Sequence, residues 1–227
     1  MPSPGTARAL LAALAMVLTV TGCGTASDPS PPTGIDELTV PTPSPDPDDF
    51  VDAVDNPWFP LPPGSTWSYQ VIGAVDATDL LVTVAPGPVV SGVATTARVS
   101  RADGVVATDW YAQDTDGNVW WFGRDGEWRA GEEGAQAGLA MPAHPRVGDG
   151  YRTAYAPGTA EDVATVRALD GTVTVPAGTF DGLLVVETTS VLDPQGKRTL
   201  YVAEGLGPVE EDDLGRTARL SDATLAD

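Results

Sequence analysis

The chain has 227 residues, 32 acidic against 12 basic, a formal charge of −20 and a single cysteine. So acidic a surface repels a phosphate backbone, which excludes nucleic acid as a partner. One cysteine excludes an intramolecular disulfide, so the folded part relies on its core alone.

The chain opens MPSPGTARALLAALAMVLTVTGCG, with Arg8 as its only charge and an apolar run from Ala9 to Val20. That run has the length of a signal-peptide hydrophobic stretch and is short for a bilayer span. It ends in Val20-Thr21-Gly22-Cys23. A small residue before a cysteine, with an aliphatic residue three places before it, resembles the bacterial lipobox. The resemblance implies a lipoprotein signal peptide over residues 1–22, cleavage before Cys23, and acylation of the Cys23 sulfur by a palmitate-like chain. It places the mature protein on the extracytoplasmic face of the cell membrane, held by lipid. Two or three acyl chains hold far better than one, since each buried CH₂ contributes roughly 0.8 kcal/mol. No basic residue lies between Cys23 and Ala97, so a basic patch on anionic lipid does not do the anchoring.

Residues 23–49 continue as GTASDPSPPTGIDELTVPTPSPDPDD after Cys23. Proline, serine, threonine and aspartate dominate, which predicts a disordered and extended tether. Residues 50–227 form one domain. A domain of that size buries about 70% of its unfolded surface.

No long helical period follows the signal. Short segments rich in threonine, valine and aromatics recur between turn residues, which predicts strands. They are Ser65–Ile72, Asp79–Ala85 before Pro86-Gly87-Pro88, and Gly92–Arg101 joined to Val105–Gln113 through Ala102-Asp103-Gly104. Asn118–Gly123 and Glu127–Arg129 come next, each after an Asp-Gly pair. Later come Asp149–Ala156, Ala164–Leu169, Thr172–Val175, Leu183–Leu192, Arg198–Glu204, Gly207–Asp212 and Arg216–Ser221. Asp-Gly between apolar strands is a strong hairpin signal. The expectation is a mainly β fold: one strongly curved antiparallel sheet, a meander that makes a half-barrel or incomplete barrel. The proline-bearing segment Gly131–Val147 is expected to be a long covering loop, and Gly131–Leu139 within it is the one modest helix candidate.

Asp109–Trp128 reads DWYAQDTDGNVWWFGRDGEW and holds four of the six tryptophans. Side chains alternate along a strand, so Trp110 and Tyr111 cannot share a face, and Trp120 and Phe122 lie opposite Trp121. One face packs the core. The other is covered by the long loop or exposes rings for contact. Trp110, Trp120, Trp121, Phe122, Trp128 and Tyr155 are therefore the candidates for touching a ligand or partner, with Trp121 and Tyr155 as cavity lining.

Little else proposes chemistry. Asp114-Thr115-Asp116-Gly117-Asn118 looks calcium-like but lacks the loop length and final glutamate of an EF-hand, so it reads as a turn. Asp103-Gly104, Asp125-Gly126 and Asp170-Gly171 share the same turn chemistry. His144, the only histidine, sits in Met141-Pro142-Ala143-His144-Pro145 and reads as a loop anchor. No nucleophile elbow, phosphate loop or triad spacing occurs. Glu132-Glu133 and Glu161-Asp162 read as solvated carboxylates. No metal, cofactor or catalytic residue is expected.

Five phrases run in order along the domain: DNPWFPLPPGSTWSY (55–69), DWYAQDTDGNVWWFG (109–123), MPAHPRVGDGYRTAYAPGTAEDVATV (141–166), VTVPAGTFDGLLVVE (173–187) and YVAEGLGPVEE (201–211). Together they resemble a family of bacterial secreted proteins and lipoproteins that has no assigned activity and so implies no site residues. More loosely, the plan is similar to lipoprotein-carrier and lipid-binding half-barrels of the bacterial envelope. That analogy implies a non-catalytic module that holds a lipid or another apolar ligand. Two alternatives stand beside it: a module that binds another envelope protein without a small ligand, and a glycan hydrolase with two carboxylates in a cleft.

Overall fold

The computed structural model describes residues 46–73 and 78–226, so Cys23 and the tether lie outside the described part. One turn of 3-10 helix, Pro47–Asp49, leads into β1 (Phe50–Val51). Then follow β2 (Thr66–Ile72), β3 (Thr78–Val90), β4 (Val93–Ala102), β5 (Val105–Asp114), β6 (Val119–Arg124) and β7 (Trp128–Arg129). The second half holds β8 (Gly138–Met141), β9 (Gly150–Ala156), β10 (Ala160–Val175), β11 (Gly178–Ser190), β12 (Lys197–Ala203), β13 (Gly207–Asp213) and β14 (Arg216–Thr224).

All pairings are antiparallel, in the order β7-β6-β5-β4-β3-β2-β14-β13-β12-β11-β10-β9, with β1 on β5 and β8 on β6. The sheet curls until its two ends nearly meet, leaving one unsealed seam. At the seam, β8 lies against β9. Gln136 N–H donates to the Tyr155 carbonyl at 2.8 Å, and a Cβ on Gly138 would stand 2.2 Å from the Thr153 carbonyl oxygen. Glycine at 138 is what lets the two backbones approach.

The meander follows from the turns. Asp103 and Gly104 both adopt positive φ, 51° and 76°, as a two-residue hairpin of the primed type requires. Leu214-Gly215 does the same between the expected strands Gly207–Asp212 and Arg216–Ser221, and Ser91-Gly92 does so where no turn was expected. Asp170-Gly171 is a correction, because it is no turn. It lies inside β10, where the pairing with β11 slips between Ala168 and Val173, and a bulge absorbs it. Pro86-Gly87-Pro88 likewise interrupts the β3–β4 register without ending β3. The helix candidate is overturned as well. Residues 131–134 are turns, and β8 occupies the middle of the supposed loop, paired with β6.

Two cores stabilise the sheet from opposite faces. The inner one fills one end of the half-barrel with Phe59, Leu61, Trp67, Val82, Leu183, Val202, Val209 and Leu220, all buried. Each such aliphatic side chain contributes roughly 1.5–3 kcal/mol on burial. The second core lies on the outer face of β4–β6, where Trp110, Ala112, Trp120 and Phe122 pack with Val90, Val93, Trp128 and Ala135.

The DTDGN turn joins β5 to β6 and is held by a web of bonds. Asp114 Oδ1 accepts from the Asp116 and Asn118 N–H groups at 3.0 and 2.8 Å, and Oδ2 accepts from Trp120 Nε1 at 2.8 Å. Asn56, fully buried, donates through Nδ2 to the carbonyls of Gly117 (2.8 Å) and Pro142 (3.2 Å) and accepts from Trp58 N–H at 2.8 Å. Its own N–H donates to Gln113 Oε1 at 2.8 Å, and Asn118 Oδ1 accepts from Ala143 N–H at 2.9 Å. Three of the five sequence phrases thus meet here, at one end of the half-barrel, as a structural knot. His144 is exposed beside it.

Candidate binding cavity

The opposite end of the half-barrel is hollow. A cavity of about 260 Å³ lies inside the sheet, with lining residues from β3, β4, β5, β6, β8, β9, β12 and β13 and from the loop before β2. Its floor is aromatic. Phe59 and Tyr111 have ring centroids 5.1 Å apart, and Tyr111 stacks on Trp121 at 6.4 Å with planes 18° apart. Leu80, Ala140 and Leu200 add apolar wall. Above the floor the wall turns charged, with Arg98, Asp109, Arg124, Arg198 and Glu211.

Strand register explains this row. Arg98 faces Asp109 across β4–β5, and Asp109 faces Arg124 across β5–β6, so the three side chains line up inside. Simple alternation along β6 from Trp121 would turn Gly123 inward and Arg124 outward. A bulge reverses that: Tyr111 pairs with Trp121 and Asp109 with Arg124, so three residues of β5 face four of β6. Gly123 makes the bulge possible. Its φ is +140°, and a Cβ there would come within 2.4 Å of the Trp128 carbonyl oxygen. A glycine inside an aromatic strand was the one signal that could have located Arg124 from sequence.

Arg124 grips Asp109 at two points, Nε to Oδ1 at 2.8 Å and Nη2 to Oδ2 at 3.1 Å. Burial works against the guanidinium charge, but the bond and charge of Asp109 more than offset it and hold Arg124 above the ordinary arginine range. Arg198 reaches Glu211 only at 3.9 Å. Arg98 Nη1 donates to Ser100 Oγ at 3.3 Å. Burial raises the Tyr69 phenol to about 12 and pushes Tyr111 further in the same direction, so both stay neutral donors at physiological pH.

The residues singled out from sequence separate into three places. Trp121 lines the cavity. Trp110, Trp120, Phe122 and Trp128 are buried in the outer core. There Arg129 caps the Trp110 ring at 5.3 Å, and Trp128 meets Trp121 edge-on at 5.0 Å. Tyr155 sits at the seam, with the Arg152 guanidinium 4.4 Å from its ring centroid, and is not part of the cavity wall. Glu161 accepts from Gly158 N–H at 2.9 Å in a tight turn, and Glu132 lies 3.7 Å from Arg129 at the surface. The arginine row escaped sequence reading because its members lie far apart in the chain and are joined only by register.

No protein-family model matches the chain, and no curated protein matches it. Among solved structures it is similar to a candidate exported protein with YmcC-like fold from Bacteroides fragilis, at 16% identity and a TM-score of 0.40, over 74% of this chain and 99% of that one. It is also similar to a candidate lipoprotein from Parabacteroides distasonis, at 11% identity and a TM-score of 0.36, over 77% of this chain and 100% of that one. Likeness at this level carries no function over to this chain.

Proposed function

We propose that this protein is a lipid-anchored extracytoplasmic module that binds, without chemistry, a small ligand with an apolar body. The carrying observation is the hollow end of the half-barrel, floored by Phe59, Tyr111 and Trp121. The signal-like leader and Cys23 support the location. A volume of about 260 Å³ lies just under the roughly 300–1,000 Å³ usual for small-molecule sites, so the ligand is smaller than a two-chain lipid. Beyond the cavity the interior is packed with Leu61, Trp67, Val82, Leu183, Val202 and Val209. A binding role rather than catalysis is supported by Asp109, both of whose carboxylate oxygens are held by Arg124.

Native mass spectrometry of the full-length protein, extracted from its own membranes in mild detergent, tests this. The expected result is a stoichiometric small adduct, absent in an Ala107→Trp variant that fills the cavity. A clean unliganded mass for the wild-type protein overturns the reading.

A further inference from the structure

The chain has only 12 basic residues, yet three of them, Arg98, Arg124 and Arg198, line one cavity. Two carboxylates accompany them, Asp109 and Glu211, so the cavity holds one positive charge in excess inside a protein of charge −20. Which arginine lacks a direct ion pair follows from geometry. Asp109 takes up Nε and Nη2 of Arg124, Glu127 lies 3.9 Å from its Nη1, and Glu211 attends Arg198. Arg98 forms no ion pair within 4.0 Å among the described residues; its partners are neutral hydroxyls, Ser100 Oγ at 3.3 Å from Nη1 and the Tyr69 phenol. A guanidinium carries five donors in a planar fork that matches an oxyanion at two points. Holding such a fork partly out of water with only neutral hydroxyls as acceptors is unfavourable, and an arriving anion relieves that. The acidic exterior does not cancel the attraction, because charges more than about 8 Å away are largely screened at physiological salt.

We propose that the ligand is a small acidic molecule, its oxyanion group seated on Arg98 with Arg198 beside it and its apolar body on the Phe59–Tyr111–Trp121 floor. This deepens the binding role proposed above and rests on it. The neutral phenols of Tyr69 and Tyr111 do not compete as anions.

The test compares two probes of nearly equal shape, 2-naphthoate and 2-naphthamide, by calorimetric titration of the full-length protein in detergent. The expected result is at least tenfold tighter binding of the naphthoate. That advantage disappears in Arg98→Met, with naphthamide affinity falling far less than naphthoate affinity, and returns in part in Arg98→Lys, which keeps the charge without the fork. Circular dichroism of each variant establishes that it is folded. Equal binding of both probes, or an equal loss of both in Arg98→Met, overturns the acidic-ligand inference and leaves the apolar binding role standing. Binding of neither probe overturns the inference and counts against the binding role as well.

Discussion

Arg124 and Asp109 meet as a two-point pair across a strand that carries one residue too many, with Nε–Oδ1 at 2.8 Å and Nη2–Oδ2 at 3.1 Å. The pair is unequal in its surroundings. The Asp109 side chain is 3% exposed and that of Arg124 is 33% exposed. Removing Arg124 therefore strands a buried carboxylate, whereas removing the Asp109 charge leaves a guanidinium that still reaches water. Arg124→Met is expected to cost about 2–3 kcal/mol of stability and Asp109→Asn about 1 kcal/mol. Denaturant unfolding of both variants measures the order. The reverse order would mean that Arg98 already neutralises Asp109.

The bulge beneath this pair gives a second expectation. Gly123→Ala places a methyl within 2.4 Å of the Trp128 carbonyl oxygen at a φ of +140°. Neither neighbour can yield cheaply, because the obstacle is backbone. The variant is expected to lose about 2–3 kcal/mol. If β6 instead straightens into plain alternation, Arg124 swings outward and the naphthoate advantage falls with it. A fully stable variant with unchanged probe binding would show that the bulge does not depend on glycine.

How far this could be read from the sequence depends on the range of each interaction. The antiparallel meander was legible because its signals are local: Asp103-Gly104 and Asp116-Gly117 turn the chain, and alternation along Thr66–Ile72 buries Trp67, Tyr69 and Val71. The division of the aromatic hairpin into two faces was legible for the same reason. Tyr111 goes to the inner core, and Trp110, Trp120 and Phe122 go to the outer one. The cavity wall was not legible. Arg98, Arg124 and Arg198 look like ordinary strand polars one at a time, and only long-range register turns them toward one space. β8 was missed because Gly138–Met141 is four residues long and its partner β6 precedes it by a whole turn and loop.

The knot around Asn56 is expected to matter to stability as much as any core residue. Asn56→Ala removes the donor to two carbonyls, of Gly117 and Pro142, and the acceptor for Trp58 N–H. The Asn56 side chain is buried and its partners are partly so, so the loss of all three bonds is expected to cost about 2–4 kcal/mol in total. Asn56→Asp, which keeps the acceptor and loses the donors, should be no better. Thermal unfolding compares the two. A loss under about 0.5 kcal/mol would mean that water replaces the asparagine.

Membrane attachment is expected to depend on Cys23. In the native host, Cys23→Ser should abolish labelling by a radioactive fatty acid and move the protein from the membrane fraction to the soluble or secreted one. A variant that keeps its membrane association without label would mean that another segment anchors the chain.

Alkaline pH should find the buried phenols. Burial raises Tyr69 from 10.0 to about 12, against an opposing pull from Arg98 and with a smaller contribution from the charge of Glu211. Burial and the charge of Asp149 push Tyr151 up as well. A group bound to its proton more tightly in the folded state stabilises that state fully below its unfolded value of 10.0 and loses this as pH rises toward the folded one. Stability should therefore decline from about pH 10 upward, with Tyr69 accounting for roughly 3 kcal/mol. The two residues then part company. Tyr69 donates to the Pro208 carbonyl at 2.9 Å, so Tyr69→Phe orphans an acceptor and should destabilise at neutral pH by about 1 kcal/mol. The Tyr151 hydroxyl is buried without a hydrogen-bond partner among the described residues, so Tyr151→Phe removes an unsatisfied group and should be neutral or stabilising by up to about 1 kcal/mol. Both variants should also flatten the alkaline decline. Urea midpoints at neutral and alkaline pH separate the two effects, and a destabilised Tyr151→Phe would mean that its hydroxyl has a bound water as partner.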